Sequence, residues 1–229
     1  MFPVPELVAA FGSGMFAAAV GALPAFIMCG FLVLANMPEM AFGPYFGPHI
    51  SFAGAVAATA FAGRKDLVNS KDILVPLVKC NNGSVLFVGG LFAVGGMMVN
   101  KLLAHVATPA DTIAMTVGLS GIAAGLIFGR GKLVASYKLP DSGTAFLLLL
   151  LGLGVGLISA YAAVVGKNVL LGFGVAAASL IFLQFMGVGP VTHHIALPAA
   201  YAAAAVGNVW IGGLFELWGP LWATFSARR

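Results

Sequence analysis

Charge is what this chain of 229 residues has least of. Asp, Glu, Lys and Arg make up 8% of it, against roughly 25% in ordinary soluble domains. Hydrophobic residues reach 61%. So few polar groups cannot cover the surface of a soluble domain of this size, and the composition predicts an integral membrane protein. Short alternating strands are missing as well. The apolar segments have helical lengths, which excludes a β-barrel and predicts an all-α polytopic protein forming a single transmembrane domain over residues 1–229. Cysteine is equally scarce: Cys29 lies in an apolar run and Cys80 in a basic loop, so no disulfide framework is expected. No basic n-region precedes the first apolar run, where Glu6 stands instead, and no cleavable signal peptide is expected.

Catalytic signatures are also missing. The chain contains no HExxH, no GxSxG, no phosphate-binding Gly-rich loop followed by Lys-Ser/Thr, and no CxxC. Asp66, Asp72, Asp111 and Asp141 all fall in loops or at segment ends, so an intramembrane protease would lack its paired aspartates. His193 and His194 are adjacent and point about 100° apart on a helix, whereas a shared metal asks for the i, i+4 spacing. The chain is therefore expected not to be an enzyme and to carry neither cofactor nor metal. A membrane enzyme using these histidines is the weakest of three readings.

The basic residues that are present are clustered. Nine of the 11 Lys and Arg fall at Arg64/Lys65/Lys71/Lys79, at Arg130/Lys132/Lys138 and at Arg228/Arg229. This is the pattern of cytoplasmic loops rather than of a nucleic-acid surface. Placing 64–83, 130–141 and the C-terminus inside puts Lys101, Lys167 and the N-terminus outside. Nine segments then have to cross or re-enter the membrane: 5–22, 24–36, 49–62, 84–103, 110–129, 144–165, 168–186, 193–206 and 208–225. The loop 63–83 is expected to carry a short amphipathic helix on the membrane surface. Trp210, Trp218 and Trp222 mark the two ends of the last segment.

Polar chemistry is concentrated in two places. Asn36–His49 carries Pro38, Pro44, Pro48, Gly43, Gly47, Glu39 and His49 between two short apolar runs. Thirteen residues, 24–36, reach only about 20 Å of the roughly 30 Å hydrocarbon core. A second break, Gln184–His194, carries Gly189, Pro190, Thr192 and His193. Short helices around a Pro/Gly break form the pattern of discontinuous helices in transporters. An offset of about 145 brings Gly21 onto Gly166, His49 onto His194 and Gly43-Pro44 to within one residue of Gly189-Pro190. This predicts an inverted repeat with halves 5–130 and 143–225.

Ionisable groups in hydrocarbon cost at least about 2.5–3.5 kcal/mol each and are functional candidates for that reason. The substrate-binding candidates are Asn36, Glu39, Gly43, Pro44, His49, Gln184, Gly189, Pro190, Thr192, His193, His194 and Glu216. Helix starts after the breaks suit an anion or a polar neutral solute, and helix ends before them suit a cation. The sequence leaves that choice open. Its leading reading is a channel or secondary transporter for a small solute or ion, without ATP-binding machinery. The alternative is a non-transporting subunit that assembles through glycine-lined faces such as Gly121/Gly125/Gly129 and Gly152/Gly156. Expected partners are membrane lipids, the solute and further copies of the chain, and no nucleic acid.

Overall fold

The computed structural model describes residues 2–129, 141–187 and 189–216, and every regular element among them is helical. In order these are α1 (Val4–Val20), α2 (Ala22–Leu34), α3 (Pro38–Phe42), α4 (Ser51–Arg64), α5 (Gly83–His105), α6 (Thr112–Phe128), α7 (Ser142–Val164), α8 (Leu171–Ala178), α9 (Ile181–Met186), α10 (His193–Val206) and α11 (Val209–Phe215). Long Ala/Leu/Val/Phe runs leave the backbone little but its own carbonyls to bond with, and a helix satisfies it within one segment. Asn82, Asp111, Asp141 and Asn208 start α5, α6, α7 and α11, each accepting a backbone N–H through its side-chain oxygen. At Asp141 the bonds from Thr144 hold the carboxyl below its ordinary range.

Two of these helices, α5 and α7, are long and apolar enough to cross a membrane. A third span results if α1 and α2, bent by 119° at their junction, count as one. The remaining described helices are shorter. Segment 168–186 is not one helix but two, α8 and α9. The Ser179 hydroxyl between them donates to the Ala176 carbonyl at 2.8 Å, a local bond of the kind that loosens a helical ladder. Trp218, Trp222, Arg228 and Arg229 lie outside the described residues, as does most of the loop 130–141.

The α1–α2 bend turns on Gly21, whose φ is 106° and ψ 148°. A Cβ there would also lie 3.2 Å from the carbonyl oxygens of Leu74 and Val75. The Leu23 N–H, in the first turn of α2, donates to the Ile73 carbonyl at 3.0 Å. The loop after α4 thus supplies acceptors for a neighbouring helix start. This corrects the amphipathic helix expected over 63–83. Asn69 and Asp72 accept the N–H groups two residues on at 3.0 and 3.2 Å, and Pro76 precedes a single 3-10 turn at Leu77–Cys80. Val68, Ile73 and Val75 pack inward on Ala17, Ala55, Ala58 and Leu77. Gly21→Ala is expected to cost about 1–3 kcal/mol, the strain of an L-residue in this region. Thermal unfolding of the detergent-solubilised protein measures it, and an unchanged midpoint would show that the bend is dispensable.

The chain forms two compact units, one of Met1–Cys29 with Pro38–Ala135 and one of Gly30–Met37 with Ser136–Arg229. In the first, α1, α4 and α5 pack on one another and α6 lies on α4 and α5. Their meeting point is built from small residues. A methyl at Gly54 would come 2.5 Å from the Gly89 carbonyl oxygen, and one at Gly89 would come 2.9 Å from the Ala18 Cβ. In the second unit α7, α10 and α11 pack on one another and α8 lies on α7 and α10. Here Gly212 faces Ala160, Ala199 and Ala203, while Gly156 faces Gly212 and Gly213. The far half of α2 packs on α8, with Gly30 against Ala177 and Ala178 and Gly174 against Val33. Between apolar helices in lipid there is little hydrophobic driving force, so close approach of backbones has to supply the attraction.

Candidate functional site

The first break runs from exposed to buried. Asn36 adopts φ 58° at the surface, and Glu39 is exposed in the first turn of α3. Gly43 and Pro44 are half-buried. The Ser13 hydroxyl donates to the Tyr45 carbonyl and ties the break to α1. Gly47, Pro48 and His49 are buried, His49 with only 3% of its surface exposed. A methyl at Gly47 would lie 2.7 Å from the His49 Cε1, so the ring rests against bare backbone.

The start of α4 is bonded by this break. The N–H groups of Ile50 and Ser51 donate to the Gly47 carbonyl at 2.8 and 2.9 Å, and that of Ala53 to the Pro48 carbonyl at 3.0 Å. The Ser51 hydroxyl donates to the Phe46 carbonyl at 3.1 Å. Donors that a helix start leaves free elsewhere are therefore largely engaged here. Acceptors are not. His49 Nδ1 is buried and makes no hydrogen bond, and the same holds for Asn100 Oδ1 on α5.

The His49 backbone packs against α5, and α6 lies next to that contact. Gly96 lies directly against its carbonyl, and a methyl at Gly96 would stand 3.8 Å from the Thr116 Cγ2 on α6. Asn100 follows Gly96 by four residues and so shares its face of α5. Thr116 is fully buried, its hydroxyl donating to the Thr112 carbonyl at 2.7 Å. Asp111 is exposed and caps α6 through the N–H groups of Ile113 and Ala114. Gly96, Asn100, Asp111 and Thr116 are absent from the residues singled out by sequence. Asn100 stands beside Lys101 and reads as the end of a span, and Asp111 reads as a loop residue.

The second break has a different character. Gly187, at φ 68°, ends α9 with its N–H on the Leu183 carbonyl at 3.0 Å. Gly189 is half-buried and Pro190 exposed. Thr192 is buried, and its carbonyl accepts the N–H groups of Ile195 and Ala196 at 3.1 and 3.0 Å. His193 is half-buried and His194 exposed, their rings 3.9 Å apart. His193 also stands edge-on to Phe173 with centroids 6.2 Å apart. Gln184 on α9 keeps Nε2 buried without a hydrogen bond. Glu216 follows α11 and is buried, its Cβ 3.2 Å from a methyl placed at Gly156. Among the described residues no group of three or more His, Cys, Asp or Glu side chains is placed to hold a metal ion.

These features define an all-helical protein with two helices able to cross a membrane and with buried His49 and Thr192 at its two helix breaks. The chain belongs to the family of unknown function DUF7973, whose model matches residues 36–140 and 130–216. No curated protein and no solved structure matches it.

Proposed function

We propose that the chain is an integral membrane channel or secondary transporter for a small solute or ion, with each unit contributing one interrupted helical segment. His49 is the observation that carries this reading. Leaving a buried polar atom without a hydrogen bond costs about 1–3 kcal/mol, and His49 Nδ1 is such an atom at a helix break. A purely structural position gains more from an apolar residue or a paired one. Unpaired polar groups at membrane depth are characteristic of pathways.

In this reading nine segments cross or re-enter the cell membrane, the basic loops 64–83 and 130–141 and the C-terminus are cytoplasmic, and the N-terminus is outside. Charge placement in the sequence supports that topology. The inverted repeat is supported by the order of helices. α1 to α4 and α7 to α10 run long, short, very short, then 14 residues in both α4 and α10. The trios α1/α4/α5 and α7/α10/α11 pack alike, and Gly54 and Ala199, which hold equivalent places in them, are 145 residues apart. The α2–α8 contact obeys the same offset. Moving Gly30 on by 145 gives 175 and moving Ala178 back by 145 gives 33, one residue from the observed Val33–Gly174 contact.

Reconstitution in liposomes with a flux screen over cations, anions and small neutral solutes tests the proposal. At least one solute is expected to cross faster than in protein-free vesicles. Folded, inserted protein that accelerates none of them would overturn it. One observation favours the alternative of a non-transporting subunit: among the described residues nothing lies within 4 Å of a methyl placed at Gly118 or Gly121 on α6. That face is open to a neighbour, and a stable hetero-complex together with no flux would decide for it.

A further inference from the structure

We infer that Glu216 is a proton-binding site at membrane depth in the second unit, through which movement of the solute is coupled to protons. The inference rests on the transport reading for its use and adds the coupling ion to it. It starts from the likeness of two helices. Val88-Gly89-Gly90-Leu91-Phe92-Ala93 on α5 reads against Ile211-Gly212-Gly213-Leu214-Phe215-Glu216 at α11, with Gly-Gly-Leu-Phe identical in both. The packing agrees with this register. A methyl at Gly54 of α4 would meet the Gly89 carbonyl oxygen, and a methyl at Gly212 would meet that of Ala199, the counterpart of Gly54 on α10. Ala93, fully buried, then corresponds to Glu216. One unit fills the position with a methyl group, and the other places a carboxyl there.

That carboxyl is both enclosed and isolated. Of the seven Asp and Glu residues Glu216 alone is buried, with 3% of its surface exposed. Among the described residues no ion pair or hydrogen bond engages its side chain. Its depth is set by α7, because a methyl placed at Gly156 would come 3.2 Å from the Glu216 Cβ. At about 1.5 Å per residue, Gly156 stands about 12 Å from the Val164 end of that helix and about 21 Å from the Ser142 end. It is thus well inside a helix long and apolar enough to cross a membrane. The helices packed on α11 bring no countercharge. α7 carries no Asp, Glu, Lys, Arg or His, and its one tyrosine, Tyr161, is exposed. On α10, His194 and Tyr201 are exposed, and the His193 ring lies against His194 and Phe173. An ionised carboxylate enclosed without a cation is costly, and a bound proton removes the cost. Uptake draws the proton from water and converts the carboxylate to the neutral acid; no other bond is made or broken. A purely structural position is served by alanine, as Ala93 shows.

Infrared titration of the purified, detergent-solubilised protein is the first test. A protonated-carboxyl stretch is expected at neutral pH, since the other acidic residues are exposed or, like Glu6 with Lys101 and Asp72 with the Leu74 N–H, already bonded. Glu216→Gln imitates the neutral acid and Glu216→Ala copies the first unit. Both are expected to fold and to lose the band. The second test is solute accumulation in liposomes under an imposed proton gradient, with the membrane potential collapsed. A gradient of about one pH unit is expected to sustain a solute concentration ratio of up to about tenfold, the equivalent free energy for one proton per solute. Neither variant is expected to sustain any ratio. Three results would each overturn the inference: no band in the wild type, a band that survives in either variant, or solute flux that builds no ratio. Binding and transport fail separately. The band with no flux of any solute removes the transport reading and the coupling with it, and leaves the proton site. Flux without the band leaves transport and removes the site.

Discussion

Gly54→Val is expected to stop the first unit from packing and to remove most of the folded protein from detergent extracts. Position 54 faces the Gly89 carbonyl oxygen at 2.5 Å and the Ala93 Cβ at 3.1 Å from where a Cβ would stand. Neither neighbour is the movable tip of a long side chain. One is backbone of α5 and the other is fixed to it. Relief by sliding α5 is blocked from the other side, because Gly14 of α1 also rests on Gly89 and Ala93. Overpacking of this kind costs about 1–3 kcal/mol and more where backbone must shift, against a total stability of about 5–15 kcal/mol. Gly95 provides the control, since a methyl there meets nothing within 4 Å. Gly95→Ala is expected to be neutral or to stabilise α5 by about 0.5–1 kcal/mol. Size-exclusion profiles and unfolding midpoints of the two variants measure the difference. Equal midpoints would show that α4 and α5 do not depend on this approach.

The second large effect is expected at His49. Replacing it by alanine is expected to lower solute flux at least tenfold, equivalent to roughly 1.4 kcal/mol, with the protein still folded. The ring is 3% exposed, so truncation also leaves a cavity. His49→Gln therefore accompanies it, keeping bulk and a polar end while losing the imidazole. Removal of Nδ1 leaves no orphaned hydrogen-bond partner behind, because the atom has none to begin with. A drop in flux that exceeds the drop in stability accordingly reports function rather than folding. Full flux in both variants would take His49 out of the pathway. The exposed His194 is expected to be the more tolerant of the two.

Which parts of this could be read from the residues follows from physical range. Helix positions depend on apolar runs and their punctuation, both local. Segments 5–22, 24–36 and 84–103 match α1, α2 and α5 to within a few residues. The loop 63–83 defeated the same reasoning. Its Leu, Val and Ile spacing suits an amphipathic helix, yet the backbone of Ile73, Leu74 and Val75 is held against Gly21 and Leu23 from a distant turn. The α8–α9 interruption carries no proline or glycine, only Ser179 and its back-bond.

The site divides the same way. His49 was legible because it ends a run of prolines and glycines. Gly96 and Thr116 were not, because tertiary packing of α5 and α6 brings Gly96 against the His49 carbonyl and Thr116 beside Gly96, and nothing local to them says so. Gly121 shows the converse: its four-residue spacing suggests packing, but it faces open space.

The split membership of α2 has a consequence for synthesis. Gly30 leaves the ribosome well ahead of its packing partners Ala177 and Ala178. At translation rates of about 5–20 residues per second, the second half of that helix waits roughly 7–30 s before the surface it fits exists. During that interval its small-residue face has only lipid or the insertion machinery beside it. The nascent chain is then most exposed to wrong pairing, and a pause in elongation anywhere between the two helices would lengthen the exposure without altering a single contact of the finished protein.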